Sequence, residues 1–151
     1  GLGKENQGPE DVSETKKILE KDLYQISPLN KSISRDILSL AYTPGVGEVC
    51  MELFDHPEAA DLLTFRGRSV AIVTDGSMLE TEGRRFMPVM DWIVVQLKYY
   101  AGVDAYPFVV KKETNLEELF RDLSTSYGTI LYLDNHTLPT IPKNILVVKQ
   151  Q

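Results

Sequence analysis

Tyr42 is the residue of this sequence whose type and setting most favour chemistry. It lies directly before the turn Thr43-Pro44-Gly45, within the stretch LSLAYTPGVGEVC of residues 38–50. A phenol beside such a turn can serve as a general acid when a neighbouring cation lowers its pKa. Proline-glycine turns are common, however, and for this motif alone a tyrosine that packs on the core is the favoured explanation.

Asp75 and Gly76 end an apolar run that predicts a buried strand. The run SVAIVT, residues 69–74, is rich in β-branched residues and is typical of a parallel strand covered on both faces. Ligands of open α/β sheets gather at the carboxyl ends of the strands. Asp75 and Gly76 are therefore candidate substrate-binding residues, and a plain turn explains them equally well.

Asp134 ends a second apolar run, and Asn135 and His136 follow it. A carboxylate beside a histidine can bind a divalent cation, but Mg²⁺ and Mn²⁺ usually take more hard oxygen ligands than one carboxylate supplies. His56 and His136 share no spacing that would pair them as ligands. Both histidines are therefore predicted to be surface or helix-flanking residues.

The elements that position these residues alternate between strands and helices. Strands are predicted within residues 66–76, 103–110, 129–134 and 144–149, and an amphipathic helix with Asn115 as its N-cap follows the second strand. Residues 86–100 form a predicted helix that is apolar nearly all round, which is typical of a helix sandwiched inside a domain or lying in an interface. The alternation predicts a three-layer α/β domain with a mainly parallel sheet.

The amino-terminal part of the chain has a different character. Residues 1–12 are predicted to be a polar arm, and residues 13–151 a single domain. Ser13 is the predicted N-cap of a helix over residues 13–27, whose apolar side is formed by Ile18, Leu19, Leu23 and Ile26. Two further short helices are predicted within residues 47–65. An ordered arm of this composition is expected to lie on a partner chain.

The composition excludes several classes of function. The chain has 151 residues and a formal charge of −6, which gives a nucleic-acid role no electrostatic support. Its one cysteine, Cys50, excludes an internal disulfide and a cysteine-based metal cage. No apolar run approaches the ~20 residues that span a bilayer. The sequence contains no P-loop, no GxGxxG and no GxSxG motif.

Four blocks of the sequence resemble, in order and spacing, the N-terminal domain of malic enzymes. They are LSLAYTPGVGEVC, RGRSVAIVTDGS, PVMDWIVVQLKYYAGVDAYPFVV and STSYGTILYLD, and together they run from about Leu38 to Asp134. Members of that family oxidatively decarboxylate malate to pyruvate with NAD(P) and a divalent metal. The resemblance implies the same fold for most of this chain.

The resemblance also implies an active-site tyrosine at Tyr42, but the partners of that tyrosine are replaced. The family motif PVMEGK supplies the catalytic lysine, and Ile93 stands at its position here. The family's metal-binding Glu-Asp pair becomes Leu133 and Asp134. Neither hydrocarbon side chain can exchange a proton or bind a metal. Tyr42 and Asp134 are therefore predicted to be vestiges of a catalytic acid and a metal ligand.

Two further departures concern the substrate and the cofactor. The glycine-rich stretch that follows the Asp-Gly in the family, and that shapes its substrate pocket, is replaced by SMLETEGRRFM, which retains only Gly83. The cofactor-binding Rossmann domain of the family does not follow within the 151 residues. No cofactor is therefore expected.

These departures predict a non-catalytic malic-enzyme-like domain that serves as a structural or interaction subunit of a larger complex. Its expected partners are other protein chains, which would contact the helix 86–100 and the N-terminal arm. An alternative is a fragment or half-site subunit of an active malic enzyme. A third is a dicarboxylate-binding sensor that uses Arg66, Arg84 and Arg85. The compartment stays open between the mitochondrial matrix and the cytoplasm, with the mitochondrion slightly favoured.

Overall fold

The computed structural model describes residues 9–19, 24–29, 32–80 and 82–149. These residues belong to two compact units, Gly1–Ile33 and Ser34–Gln151. No helix of the described residues is long and apolar enough to cross a membrane.

The first unit contains helix α1, Pro9–Leu19. A proline suits the first turn of a helix, where its missing N–H is not needed. The prediction that Ser13 caps this helix is wrong, because the helix already includes Ser13 and the last four residues of the predicted arm. Ile18 remains 55% exposed, and Ile26 lies beyond the helix. Residues 1–8 of the arm and Leu23 lie outside the described residues.

Three short helices open the second unit. They are α2, Arg35–Ala41, α3, Val46–Asp55, and α4, Ala60–Leu63. Ser34 caps α2 by accepting a hydrogen bond from the N–H of Ile37 at 3.2 Å. Pro57 opens a 3₁₀ turn, Pro57–Ala59, directly before α4. The predicted pair of helices within residues 47–65 is thus confirmed.

The second unit is built on a four-stranded parallel sheet. Its strands are β1, Ser69–Thr74, β2, Asp104–Val109, β3, Thr129–Tyr132, and β4, Leu146–Lys149. They lie in the order β2-β1-β3-β4, and all three neighbouring pairs are parallel. Helix α5, Met87–Ala101, connects β1 to β2, and helix α6, Leu116–Leu123, connects β2 to β3. The predicted α/β fold with a parallel sheet is confirmed.

Helix α6 covers the main hydrophobic core. Asn115 caps it as predicted, accepting a hydrogen bond from the N–H of Glu118 at 3.1 Å. Phe120 is fully buried, and its ring meets that of Tyr132 edge-on at 5.7 Å between centroids. The buried residues of this core are Ala71, Val73, Phe120, Leu123, Ile130, Tyr132 and Ile145.

Helix α5 is not sandwiched between layers of the described chain. Met90 and Val94 are buried, and the helix packs against β2. Trp92, Tyr99 and Tyr100 remain 47%, 80% and 79% exposed. Of the two explanations offered by its all-round apolar sequence, the location inside the domain is therefore wrong for the described residues.

The strand order places a crevice between the carboxyl ends of β1 and β3. The connection from β1 leads to β2 on one side, whereas β4 lies on the other side of β3. Neighbouring strands whose connections leave in opposite directions form a topological switch point, where open α/β sheets bind ligands. Asp75 and Asp134 both follow their strands at this crevice.

Phe120→Ala is expected to lower the free energy of unfolding by about 3–5 kcal/mol, because the removed ring leaves a cavity in a closed core. Chemical denaturation followed by circular dichroism measures this change. Phe54→Ala is the matched control, because Phe54 is 79% exposed on α3 and its loss should cost less than about 0.5 kcal/mol. Equal effects of the two variants would contradict the assigned core.

Candidate functional site

A buried carboxylate joins the ends of β1 and β3. Asp134 is 1% exposed, and its Oδ1 accepts a hydrogen bond from the hydroxyl of Thr74 at 2.6 Å. Its Oδ2 accepts a second one from the backbone N–H of Asp75 at 2.8 Å. Each oxygen therefore has a partner on the neighbouring strand end, which compensates the loss of water around the carboxylate.

Asp75 and His136 contact each other beside this carboxylate. His136 Nε2 lies 2.9 Å from Asp75 Oδ2 and 3.1 Å from the hydroxyl of Ser77. The N–H of Ser77 donates to Asp75 Oδ1 at 2.8 Å. Asp75 is buried, whereas the side chain of His136 is half exposed. The predicted surface histidine is thus a site residue that is open to solvent on one side.

The pKa values of Asp75 and Asp134 are shifted in opposite directions. Burial raises the pKa of Asp75, but hydrogen bonds from Ser77 and His136 outweigh it, and the pKa of Asp75 falls below its ordinary value. Burial likewise raises the pKa of Asp134, and the hydrogen bonds from Thr74 and from the Asp75 amide do not compensate it. The charge of Asp75 adds to that increase.

Tyr132 places a buried hydroxyl close to both carboxylates. Its side chain is fully buried, and its hydroxyl has no hydrogen-bond partner among the described residues. Burial raises the pKa of this phenol, and the charges of Asp134 and Asp75 raise it further. Register explains the proximity, because Tyr132 pairs with Val73, and Asp134 and Asp75 follow these two residues, each two positions later along the chain.

Two glycines shape the loop that follows β1. Gly76 turns the chain with φ +85°, a conformation that favours glycine, and its N–H donates to the Thr74 hydroxyl at 3.0 Å. A Cβ on Gly83 would meet Val109 at 2.5 Å and the backbone of Asp75 at 3.2 Å. Gly83 therefore allows the returning loop to approach the site closely.

An open cleft of about 500 Å³ adjoins Asp75 at the ends of β1 and β2. Lys111, Lys112 and Arg84 contribute positive charge to its lining, and Glu82 and Glu113 contribute negative charge. Arg84 is already paired with Glu82 at 3.0 Å.

Arg66 is not available to bind a dicarboxylate from solvent. It is 6% exposed, and its guanidinium donates to the carboxylate of Asp61 and to the backbone carbonyls of Ser124 and Asn144. Its role as a ligand-binding cation, one part of the sensor hypothesis, is therefore wrong. Arg84 and Arg85 remain exposed.

The similar sequences and the similar solved structures are malic enzymes. No protein-family model matches the sequence. An NAD-dependent malic enzyme of Geobacillus stearothermophilus is 34% identical over 103 residues, which are 64% of this chain and 22% of that protein. A bifunctional malic/malolactic enzyme of Bacillus subtilis is 33% identical over 99 residues, 62% of this chain and 24% of the relative. The crystal structure of an NAD-dependent malic enzyme of Thermotoga maritima superposes with a TM-score of 0.69 at 29% identity, covering 82% of this chain and 36% of that one.

The chain is a malic-enzyme-like domain. The matched segment is the N-terminal part of the relatives, which confirms the resemblance drawn from the sequence. The chain spans between a fifth and a quarter of the length of the two relatives named from Geobacillus and Bacillus.

Within this malic-enzyme-like domain, Tyr42 lies apart from the packed core. It is 66% exposed at the carboxyl end of α2, and its backbone N–H donates to the carbonyl of Leu38 at 2.9 Å. The favoured prediction of a tyrosine packed on the core is therefore wrong. Its role as an acid stays a prediction. Ile93, at the family's lysine position, is half buried on α5.

The metal pair that the family resemblance implies does not fit the residues at its expected place. Leu133 is 3% exposed and offers no oxygen, and its N–H extends the sheet by donating to the carbonyl of Val73 at 3.0 Å. Asp134 is present, and Asp75 and His136 bring their ligand atoms to within 4.8 Å of it and of each other. The malic-enzyme-like domain thus has a different set of possible ligands from the one predicted.

Thr74→Val is expected to lower the free energy of unfolding by about 1–3 kcal/mol, because it removes the hydrogen-bond partner of Asp134 Oδ1 and that of the Gly76 N–H. Thermal or urea unfolding measures the change. Thr137→Val is the control, because Thr137 is exposed in the loop after β3. Unchanged stability of Thr74→Val would show that the contact between β1 and β3 contributes little.

Proposed function

We propose that this malic-enzyme-like domain is non-catalytic and serves as a structural or interaction subunit of a larger protein complex, in the mitochondrial matrix or the cytoplasm. The burial of Leu133 is the observation that supports a non-catalytic role. Leu133 is buried at the position where the family resemblance implies a metal-binding carboxylate. A hydrocarbon there removes a hard ligand from the metal that would polarise malate.

Ile93 supports the same conclusion from a different element. It takes the position of the implied catalytic lysine on α5, and a hydrocarbon cannot take or return a proton. Both replacements exchange a charge for an apolar side chain. A buried charge without its partner is costly. In a domain that no longer catalyses a reaction, an apolar side chain at each of these positions is therefore more stable than a charged one.

The interaction role rests on the outer side of α5. Val89, Trp92, Tyr99 and Tyr100 lie at positions that share one side of a helix, opposite the buried Met90 and Val94. Aromatic side chains of this kind are enriched at the centres of protein interfaces. The rings of Tyr99 and Tyr100 contact each other edge-on, with centroids 4.9 Å apart.

The chain is expected to show no malate-dependent reduction of NAD or NADP in the presence of Mn²⁺. Absorbance of the reduced nicotinamide at saturating malate measures this activity, and a complete malic enzyme serves as the positive control. The assay is repeated after the chain is mixed with a protein that carries a malic-enzyme cofactor domain. Activity in that mixture alone would support the half-site alternative, and activity of the chain by itself would overturn the proposal.

Trp92→Glu is expected to release the chain from its native complex, with a loss of affinity of roughly 30-fold or more if Trp92 is an interface anchor. Native mass spectrometry of the purified complex measures the release. Lys143→Glu is the control, because it adds the same side chain at an exposed turn before β4. Purification of the chain under mild conditions without any partner protein would contradict the interaction role.

A further inference from the structure

We propose that Asp75, Asp134 and His136 form a binding site for a divalent metal ion. The site is expected to bind Zn²⁺ more tightly than Mg²⁺. The inference does not depend on the proposed function, because a metal at this site can stabilise the fold whether or not the domain takes part in a complex.

The first argument is the placement of the ligand atoms. One carboxylate oxygen from each aspartate and one imidazole nitrogen lie within 4.8 Å of one another. Ligands at about 2.0–2.2 Å from a Zn²⁺ ion stand roughly 3–4.4 Å apart. Shifts of side chains by less than about 1 Å therefore suffice to close the three groups around an ion.

The three ligands come from positions that the fold brings together. Asp75 follows β1, whereas Asp134 and His136 follow β3, and the two strands are neighbours at the switch point of the sheet. The hydrogen bonds from Thr74 and from the Asp75 amide fix the orientation of Asp134. Each carboxylate oxygen has two lone pairs, so an oxygen that accepts one hydrogen bond can still bind a metal.

The second and independent observation is the hydroxyl of Tyr132. It is fully buried and has no hydrogen-bond partner within the described residues. Tyr132 pairs with Val73, and Asp134 and Asp75 each follow two residues after one member of this pair. The charges of both carboxylates act on the phenol. A water molecule bound to the metal would donate a hydrogen bond to this oxygen and so satisfy a group that is costly to bury unpaired.

The chemistry of the ligands decides the preference among metals. Mg²⁺ favours six oxygen ligands in an octahedral arrangement. Leu133 offers no oxygen at the position where the family resemblance implies a glutamate. Two carboxylates and one imidazole suit zinc and its neighbours in the first transition row. His136 is half exposed, which leaves an entry path and space for bound water.

Calorimetric titration of the 151-residue chain with Zn²⁺, and separately with Mg²⁺, tests the site. We expect one Zn²⁺ per chain and at least tenfold weaker binding of Mg²⁺. His136→Ala should weaken Zn²⁺ binding at least tenfold, whereas His56→Ala should leave it unchanged. His56 is the matched control because it is the other histidine of the chain and its contact is a surface pair with Glu58 at 3.5 Å.

Co²⁺ provides a readout that does not depend on affinity. Visible absorption of the Co²⁺-loaded chain should be lost in His136→Ala and retained in His56→Ala, while circular dichroism confirms that both variants are folded. Asp75→Asn should also weaken Zn²⁺ binding. Absence of Zn²⁺ binding, equal affinities for Zn²⁺ and Mg²⁺, or equal loss in the two histidine variants would each overturn the proposal.

Discussion

The contact between Asp134 and the end of β1 is the interaction on which the rest of this site depends. A carboxylate that is almost fully buried must have its charge or its lone pairs satisfied by the protein, and here the hydroxyl of Thr74 and the amide of Asp75 do so. The same two hydrogen bonds fix the position of Asp75 relative to β3. Asp75 in turn contacts His136, so one buried acid organises the whole crevice.

The backbone contact of Leu133 explains how a ligand of the family can be replaced while this contact remains. Leu133 and Asp134 both follow β3, and the N–H of Leu133 donates to the carbonyl of Val73 at 3.0 Å. A leucine at position 133 therefore adds a buried apolar side chain without removing this backbone contact or the hydrogen bonds of Asp134. Replacement of the family's glutamate and preservation of the fold are compatible for this geometric reason.

The sequence alone was informative where local pattern decides the structure. The run SVAIVT became β1 because β-branched residues suit a buried strand, and Asn115 caps α6 because its side chain accepts an N–H that the helix leaves unpaired. The positions of Asp75 and Asp134 at strand ends followed from the same patterns. Their meeting also required the strand order, which places β3 beside β1.

The sequence was uninformative where long-range contacts decide. His136 joins Asp75 across 61 positions of the chain, and no spacing between histidines signals such a contact. Ser13 has the type of an N-cap, yet Pro9 begins the helix earlier because it suits a first turn. The outer side of α5 illustrates a third limit, since an all-round apolar helix has the same sequence whether its second side is covered by its own domain or left exposed.

Arg66 has a consequence for how parts of this domain open and close. Its single side chain donates to the carboxylate of Asp61 in α4, to the carbonyl of Ser124 at the end of α6, and to the carbonyl of Asn144 before β4. A lysine has no planar fork of donors with which to reach three acceptors in these directions. The segments that contain Asp61, Ser124 and Asn144 therefore share one cation, and local unfolding of any of them leaves a donor of the buried Arg66 without its acceptor. We therefore expect these three segments to exchange their amide hydrogens as one cooperative unit.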